Sequence, residues 1–193
     1  MLSTLILPTE GEIKIAGYDI AKDSVKIKEI VNVSPQETAI APNLTVKENL
    51  DFMAGVYKIK NKNEKIDELV KTFKLQEVLK QKAKTLSGGW QRKLSIAISL
   101  INDPKVLFLD EPTLGLDVLA RRDLWAVIES LKGKITIILT THYMEEAESL
   151  SDRVGIMDKG NLIAVGTVKE LMQKAGTNNF EEAFVKIATG GRE

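Results

Sequence analysis

Two short, dense apolar runs, VLFL at residues 106–109 and ITIIL at residues 135–139, bracket the helical stretch VLARRDLWAVIESLKG, which closes at Gly133. Such runs read as strands buried on both faces, the kind that parallel sheets use. Parallel neighbours need a long crossover, and one helix supplies it. The pattern predicts a βαβ unit inside an α/β fold, with ligands expected at the carboxyl ends of the strands.

The rest of the chain fits one domain of that class. GEIKIA at residues 11–16 alternates like a half-exposed strand closed by Gly17, and RVGIM, DKGN and LIAVG read as strand, turn and strand. Residues 45–82 turn helical, as VKENLDFMAGVYKI and KIDELVKTFKLQEVL around the polar break NKNEK, which predicts a helical insert at residues 42–86. LSGGW opens the helical stretch QRKLSIAISLI. NFEEAFVKIA, closing in Gly190 and Gly191, belongs to a helical tail at residues 169–193.

Composition narrows the chemistry. Lys plus Arg and Asp plus Glu both number 27, so there is no electrostatic footprint for nucleic acid. The absence of cysteine removes disulfides, thiolate metal sites and thiol catalysis, and the single histidine, His142, is too few for a typical zinc site. The opening MLSTLIL lacks the basic region and cleavage site of an export signal. No stretch approaches the roughly 18 consecutive apolar residues of a membrane span, so a membrane role requires a partner.

Five places carry candidate chemistry. In VLFLDEPT, Asp110 and Glu111 end a buried strand, where adjacent side chains point in opposite directions and two carboxylates can take two jobs. One suits Mg2+ and the other suits an attacking water, unless they simply begin a solvated loop. In LSGGW, Ser87 is an N-cap candidate, and Gly88 and Gly89 allow close backbone approach at a helix N-terminus. That makes either an anion site or an ordinary capped helix. His142, after ITIILTT, is a phosphate ligand or a structural residue. Gln36, in VSPQE, is a lone polar loop residue, and Asp117, in TLGLD, fits a helix N-cap.

The order VSPQ, LSGGW-QRK, VLFLDEPT-LGLD, ITIILTTH-YMEEAE resembles the ATP-binding subunits of ABC transporters from about Pro8 to Val168. The stretches NLTVKENLDFMAGVYKI and GTVKELMQKAG look most like ABC-2-type exporters, whose members export drugs, sodium or polysaccharides. The resemblance implies a P-loop NTPase-like, mostly parallel sheet with a helical subdomain insert. It also implies ATP and Mg2+ as cofactors, a membrane permease subunit and a second ATP-binding subunit as partners, and a peripheral location on the cytoplasmic face of the membrane. Carried over by motif, Gln36 is the Q-loop glutamine, touching magnesium and the attacking water and sensing the membrane partner. Ser87, Gly88 and Gly89 grip the γ-phosphate of a nucleotide held by the other subunit. Asp110 positions Mg2+, Glu111 is the general base, Asp117 crosses the dimer interface and His142 contacts the γ-phosphate. Trp90 departs from the usual glutamine ending the signature, and Leu114 from the usual serine before Gly115.

A phosphate-cradling G-x-x-x-x-G-K-[ST] loop is not found in these residues. The resemblance makes residues 1–7 the tail of the helix that follows that loop, which implies a chain truncated before Met1 and marginal in stability and activity by itself. The alternative is a non-catalytic partner that offers its LSGGW signature to an intact ATP-binding subunit. A soluble ABC-type ATPase of DNA repair or translation fits poorly, since the helical insert is too short for a coiled coil and only one such domain is present.

Overall fold

The computed structural model describes residues 2–4 and 6–190. Met1 and Leu5 of the opening stub, and Gly191 to Glu193 of the expected tail, lie outside the described residues. The chain divides into two compact units, Met1–Thr140 and Thr141–Glu193.

In the first unit, the described residues of the 1–7 stub form turns and bends, with Thr4 at φ 63°, rather than the helix tail that the resemblance implied. The expected strand at residues 11–16 shrinks to β1 (Lys14–Ile15), which hairpins onto β2 (Tyr18–Asp19). Ala16 and Gly17 both take positive φ, 50° and 84°, the arrangement of a tight two-residue hairpin turn. The helix α1 (Ser24–Ile30) follows, and Ile15, Ile20 and Ile27 bury against Val31 and Val106.

The strands β3 (Val31–Ser34), β4 (Val106–Asp110) and β5 (Thr136–Thr140) form a parallel sheet in the order β3-β4-β5. Between β3 and β4 come α2 (Val46–Val56), α3 (Lys62–Thr72) and α4 (Gly88–Ser99). The helix α5 (Val118–Leu131) is the crossover from β4 to β5, as the apolar runs predicted. A capping box starts α2: Thr45 N–H donates to Glu48 Oε2 at 2.7 Å and Glu48 N–H to Thr45 Oγ1 at 3.2 Å. The helical stretch around KLQEVL does not run on as expected. It stops at Thr72, Phe73 is fully buried, Lys74 turns left-handed at φ 56°, and Leu75–Val78 form a 3-10 turn.

The run at residues 135–139 corrects a second expectation. It pairs with β4, but β5 alternates between exposed and half-buried, with Ile138 38% exposed. Among the described residues β5 has one neighbouring strand, so it is an edge. Its apolar density reports hydrophobicity, not the number of layers covering it. By contrast α4 is buried from Arg92 to Ser99, the mark of a helix enclosed all round.

The second unit begins with α6 (Met144–Leu150) and continues with the expected hairpin of β6 (Val154–Asp158) and β7 (Asn161–Gly166), which turns at Lys159 and Gly160 with φ 46° and 80°. Two helices follow, α7 (Val168–Ala175) and α8 (Phe180–Ala188). Ala147, Ile156, Ala164, Leu171 and Phe180 form its core. Among the described residues no helix is long and apolar enough to cross a membrane.

Candidate functional site

The register of β3 and β4 sets Ser34 opposite Leu109, so the segments leaving both strands emerge at the same carboxyl edge. Gln36 is exposed in the segment after β3. Asp110 ends β4, also exposed, and its carboxylate accepts a hydrogen bond from the hydroxyl of Thr140, its partner across the β4–β5 ladder. Glu111 follows, half-buried, with its N–H donating to the Thr140 carbonyl at 3.0 Å. Its φ is 46°, a left-handed conformation that costs an L-residue about 1–2 kcal/mol. Pro112 and Thr113 are buried behind it. The turn closes with Leu114 N–H on the Glu111 carbonyl at 3.2 Å. Gln36, Asp110 and Glu111 are thus brought to one edge, and the strain sits on one of them.

Sequence reasoning missed the residue that anchors the segment after β3. Arg92, on α4 and only 5% exposed, donates from Nη1 to the Pro35 carbonyl at 2.6 Å and from Nη2 to the Gln36 carbonyl. Burial lowers its pKa, and the negative charge of Asp110 opposes that shift. In the sequence Arg92 sits in QRK, which reads as the polar start of a helix. Only the burial of that turn reveals otherwise.

A second cluster forms where α4 begins. Ser87 occupies the N-cap position in extended backbone, φ −63° and ψ 159°, but its side chain makes no capping hydrogen bond. The expectation that its hydroxyl caps the helix is corrected there. Gln91 instead ties this end down, donating from Nε2 to the carbonyls of Ala83 at 3.2 Å and Leu86 at 3.1 Å. The two glycines are not equivalent. A Cβ on Gly89 would meet the Ala120 Cβ at 3.1 Å, so α5 itself uses the space. One on Gly88 would sit 3.8 Å from Leu116, an ordinary contact. Asp117 caps α5, with Oδ1 accepting from the N–H groups of Leu119 and Ala120 at 3.0 Å each. Ser87, Gly88 and Gly89 therefore start beside the turn that carries Asp117.

Lys93 crosses the same helix pair. Its Nζ lies 2.9 Å from Asp123 Oδ2 and 4.7 Å from the Trp90 ring centre. The hydrogen bond from Lys93 holds Asp123 below the ordinary 3.8. A carboxyl held low favours the folded state while ionised. The pair therefore contributes at neutral pH and is lost as pH falls through the lowered value.

His142 belongs to the second unit, exposed, with its ring 4.2 Å from that of Tyr143 at 38°. Among the described residues no three of His, Cys, Asp and Glu gather as a metal cluster. The oxygen donors that suit a hard divalent ion are the Asp110 carboxylate and the Gln36 amide at the carboxyl edge.

The family model described as ABC transporter matches residues 1–114, more than half of the chain. The chain is 41% identical over 178 residues to the phospholipid-transporting ATPase ABCA3 of Homo sapiens, covering 91% of this chain and 10% of that protein. It is 36% identical over 195 residues to the probable multidrug ABC transporter ATP-binding protein YbhF of Escherichia coli (strain K12), covering 97% of this chain and 34% of that protein. The chain therefore spans about a tenth of the first relative and about a third of the second. Among solved structures, an ATP-binding subunit of an ABC transporter superposes with a TM-score of 0.82 at 27% identity, covering 95% of this chain and 78% of that one. The α/β fold, with its parallel sheet and helices, is that of ABC nucleotide-binding domains, and the chain belongs to the ABC transporter family.

Proposed function

We propose that these residues form the ATP-hydrolysing part of an ABC exporter, working at the cytoplasmic face of a membrane with a permease subunit and a second ATP-binding subunit. The observation that carries the reading is the convergence of Gln36, Asp110 and Glu111 at one carboxyl edge, with strain held at Glu111. The export role rests on the relatives, one named for phospholipid transport and one as a probable multidrug transporter.

In this reading Glu111 accepts a proton from water as the water oxygen attacks the γ-phosphorus of ATP. The bond from that phosphorus to the bridging oxygen breaks, leaving ADP and phosphate. Asp110 and Gln36 offer the hard oxygen ligands that suit Mg2+, and Thr140 holds the Asp110 carboxylate in place. When bound, the ion neutralises phosphate charge. Ser87, Gly88 and Gly89 face the nucleotide of the second subunit, Asp117 lies at that interface, and His142 hydrogen-bonds the γ-phosphate. The 193 residues contain no G-x-x-x-x-G-K-[ST] loop, so these roles are assigned within a protein that supplies it.

The test is ATP turnover of the native protein with Glu111→Gln. Loss of a general base lowers kcat by about 10²–10⁴-fold, with ATP binding retained. Turnover within a factor of about two of the parent removes Glu111 from the role.

A further inference from the structure

Arg92 is a costly residue as placed. A guanidinium keeps its charge when buried, and taking it out of water demands strong partners. None of the ion pairs of the described residues includes Arg92. Its fork is spent on two successive main-chain carbonyls, Pro35 and Gln36, which lie 57 and 56 residues away in sequence. Packing alone would be served better by an apolar side chain, as at neighbouring Leu94, Ile96 and Ile98.

Its position gives the cost a purpose. Arg92 sits on the helix whose first residues are Gly88 and Gly89, and it grips the residue whose side chain shares an edge with Asp110 and Glu111. A loop carbonyl that water would otherwise solvate is instead fixed to a buried helix. Two parallel hydrogen bonds from a planar group also set the orientation of the peptide, which a single bond does not.

We propose that Arg92 is a positioning residue. By clamping the Pro35 and Gln36 carbonyls it holds the Gln36 side chain in register with Asp110 and Glu111, and it makes the start of α4 and the loop after β3 move as one body. This rests on the hydrolytic reading above and adds to it a defined mechanical link between the two clusters. The link has a direction of dependence: Arg92 acts on the reaction through the main chain at Gln36, while its charge interaction with Asp110 is kept in Arg92→Lys.

That dependence is what a double-mutant cycle measures. ATP turnover of the native protein is compared for Arg92→Gln, Gln36→Ala and the pair, with kcat and KM resolved. Hydrogen exchange of the peptide spanning residues 36–41 provides a readout independent of turnover. Arg92→Gln should lower kcat by about a hundredfold while KM moves less than about threefold, because substrate is held but misaligned. Exchange in residues 36–41 should rise, and the pair should be no slower than Gln36→Ala alone. Arg92→Lys, which keeps charge but reaches one carbonyl at a time, should fall between parent and Arg92→Gln. Losses that multiply in the pair overturn the proposal, as does a normal kcat in Arg92→Gln. Should Arg92→Gln fail to fold, the cycle runs on Arg92→Lys with the same two outcomes. Glu111→Gln, measured alongside, decides the hydrolytic reading separately: if that variant turns over normally, the reading fails whatever Arg92 does.

Discussion

The carboxyl edge of the sheet and the start of α4 reach their shapes by opposite means. At the edge, Gln36 and Asp110 leave their side chains exposed; buried Arg92 holds the main chain at Gln36, and exposed Thr140 donates its hydroxyl to the Asp110 carboxylate. At the start of α4, order comes from the absence of side chains. Gly89 lets α5 approach until a Cβ there would stand 3.1 Å from Ala120, and Asp117 already spends its carboxylate on two helix N–H groups. In the first region the exposed side chains with proposed roles, Gln36 and Asp110, are distinct from the buried Arg92 that holds the main chain at Gln36. In the second the same few atoms serve both proposed role and packing, so change there is felt first as a packing defect.

The sharpest way to break the contrast is at Gly89. Gly89→Val overpacks the α4–α5 contact and should cost about 1–3 kcal/mol in urea unfolding. Gly88→Ala meets only Leu116 at 3.8 Å, so it should be neutral or stabilise by up to about 1 kcal/mol. Equal losses from the two would mean that the glycines serve one purpose. Asp117→Ala comes next, removing a cap with two acceptor contacts at a cost of about 1 kcal/mol, read from the same melts, and Asp117→Ser should recover most of it. The smallest effect on stability is expected at Thr140. Thr140→Val keeps the branched shape on an edge strand and removes an exposed hydrogen bond, so unfolding should shift by less than about 0.5 kcal/mol. Turnover should nonetheless fall, because Asp110 loses the group that orients it. A large shift in unfolding there would show that the carboxyl edge, too, couples chemistry to stability.

Local pattern carried much of this. The runs at residues 106–109 and 135–139, with a helix between, already specify parallel pairing, and the turn at Lys159 and Gly160 was legible from DKGN because a two-residue hairpin wants positive φ at both positions. Asp110 and Glu111 could be found because a strand end is itself a local feature. What escaped was relational. VNVS has too little apolar weight to read as a strand, yet β3 brings the segment that carries Gln36 to the edge where β4 ends at Asp110. Arg92 looks like the polar mouth of a helix until its surroundings are known. The half-exposure of β5 depends on how many strands flank it, which no property of ITIIL encodes. Lys74 ends α3 because buried Phe73 anchors the chain there, which is a tertiary demand rather than a propensity.

The backbone at Glu111 has a consequence for anyone altering this protein. Its left-handed φ of 46° is one that glycine or asparagine adopts with far less strain. A programme that ranks substitutions by heat tolerance alone would therefore favour replacing this glutamate early. The hardier molecule so obtained would have exchanged its proposed base for about a kilocalorie of relief, and its higher melting point would be the record of a lost reaction.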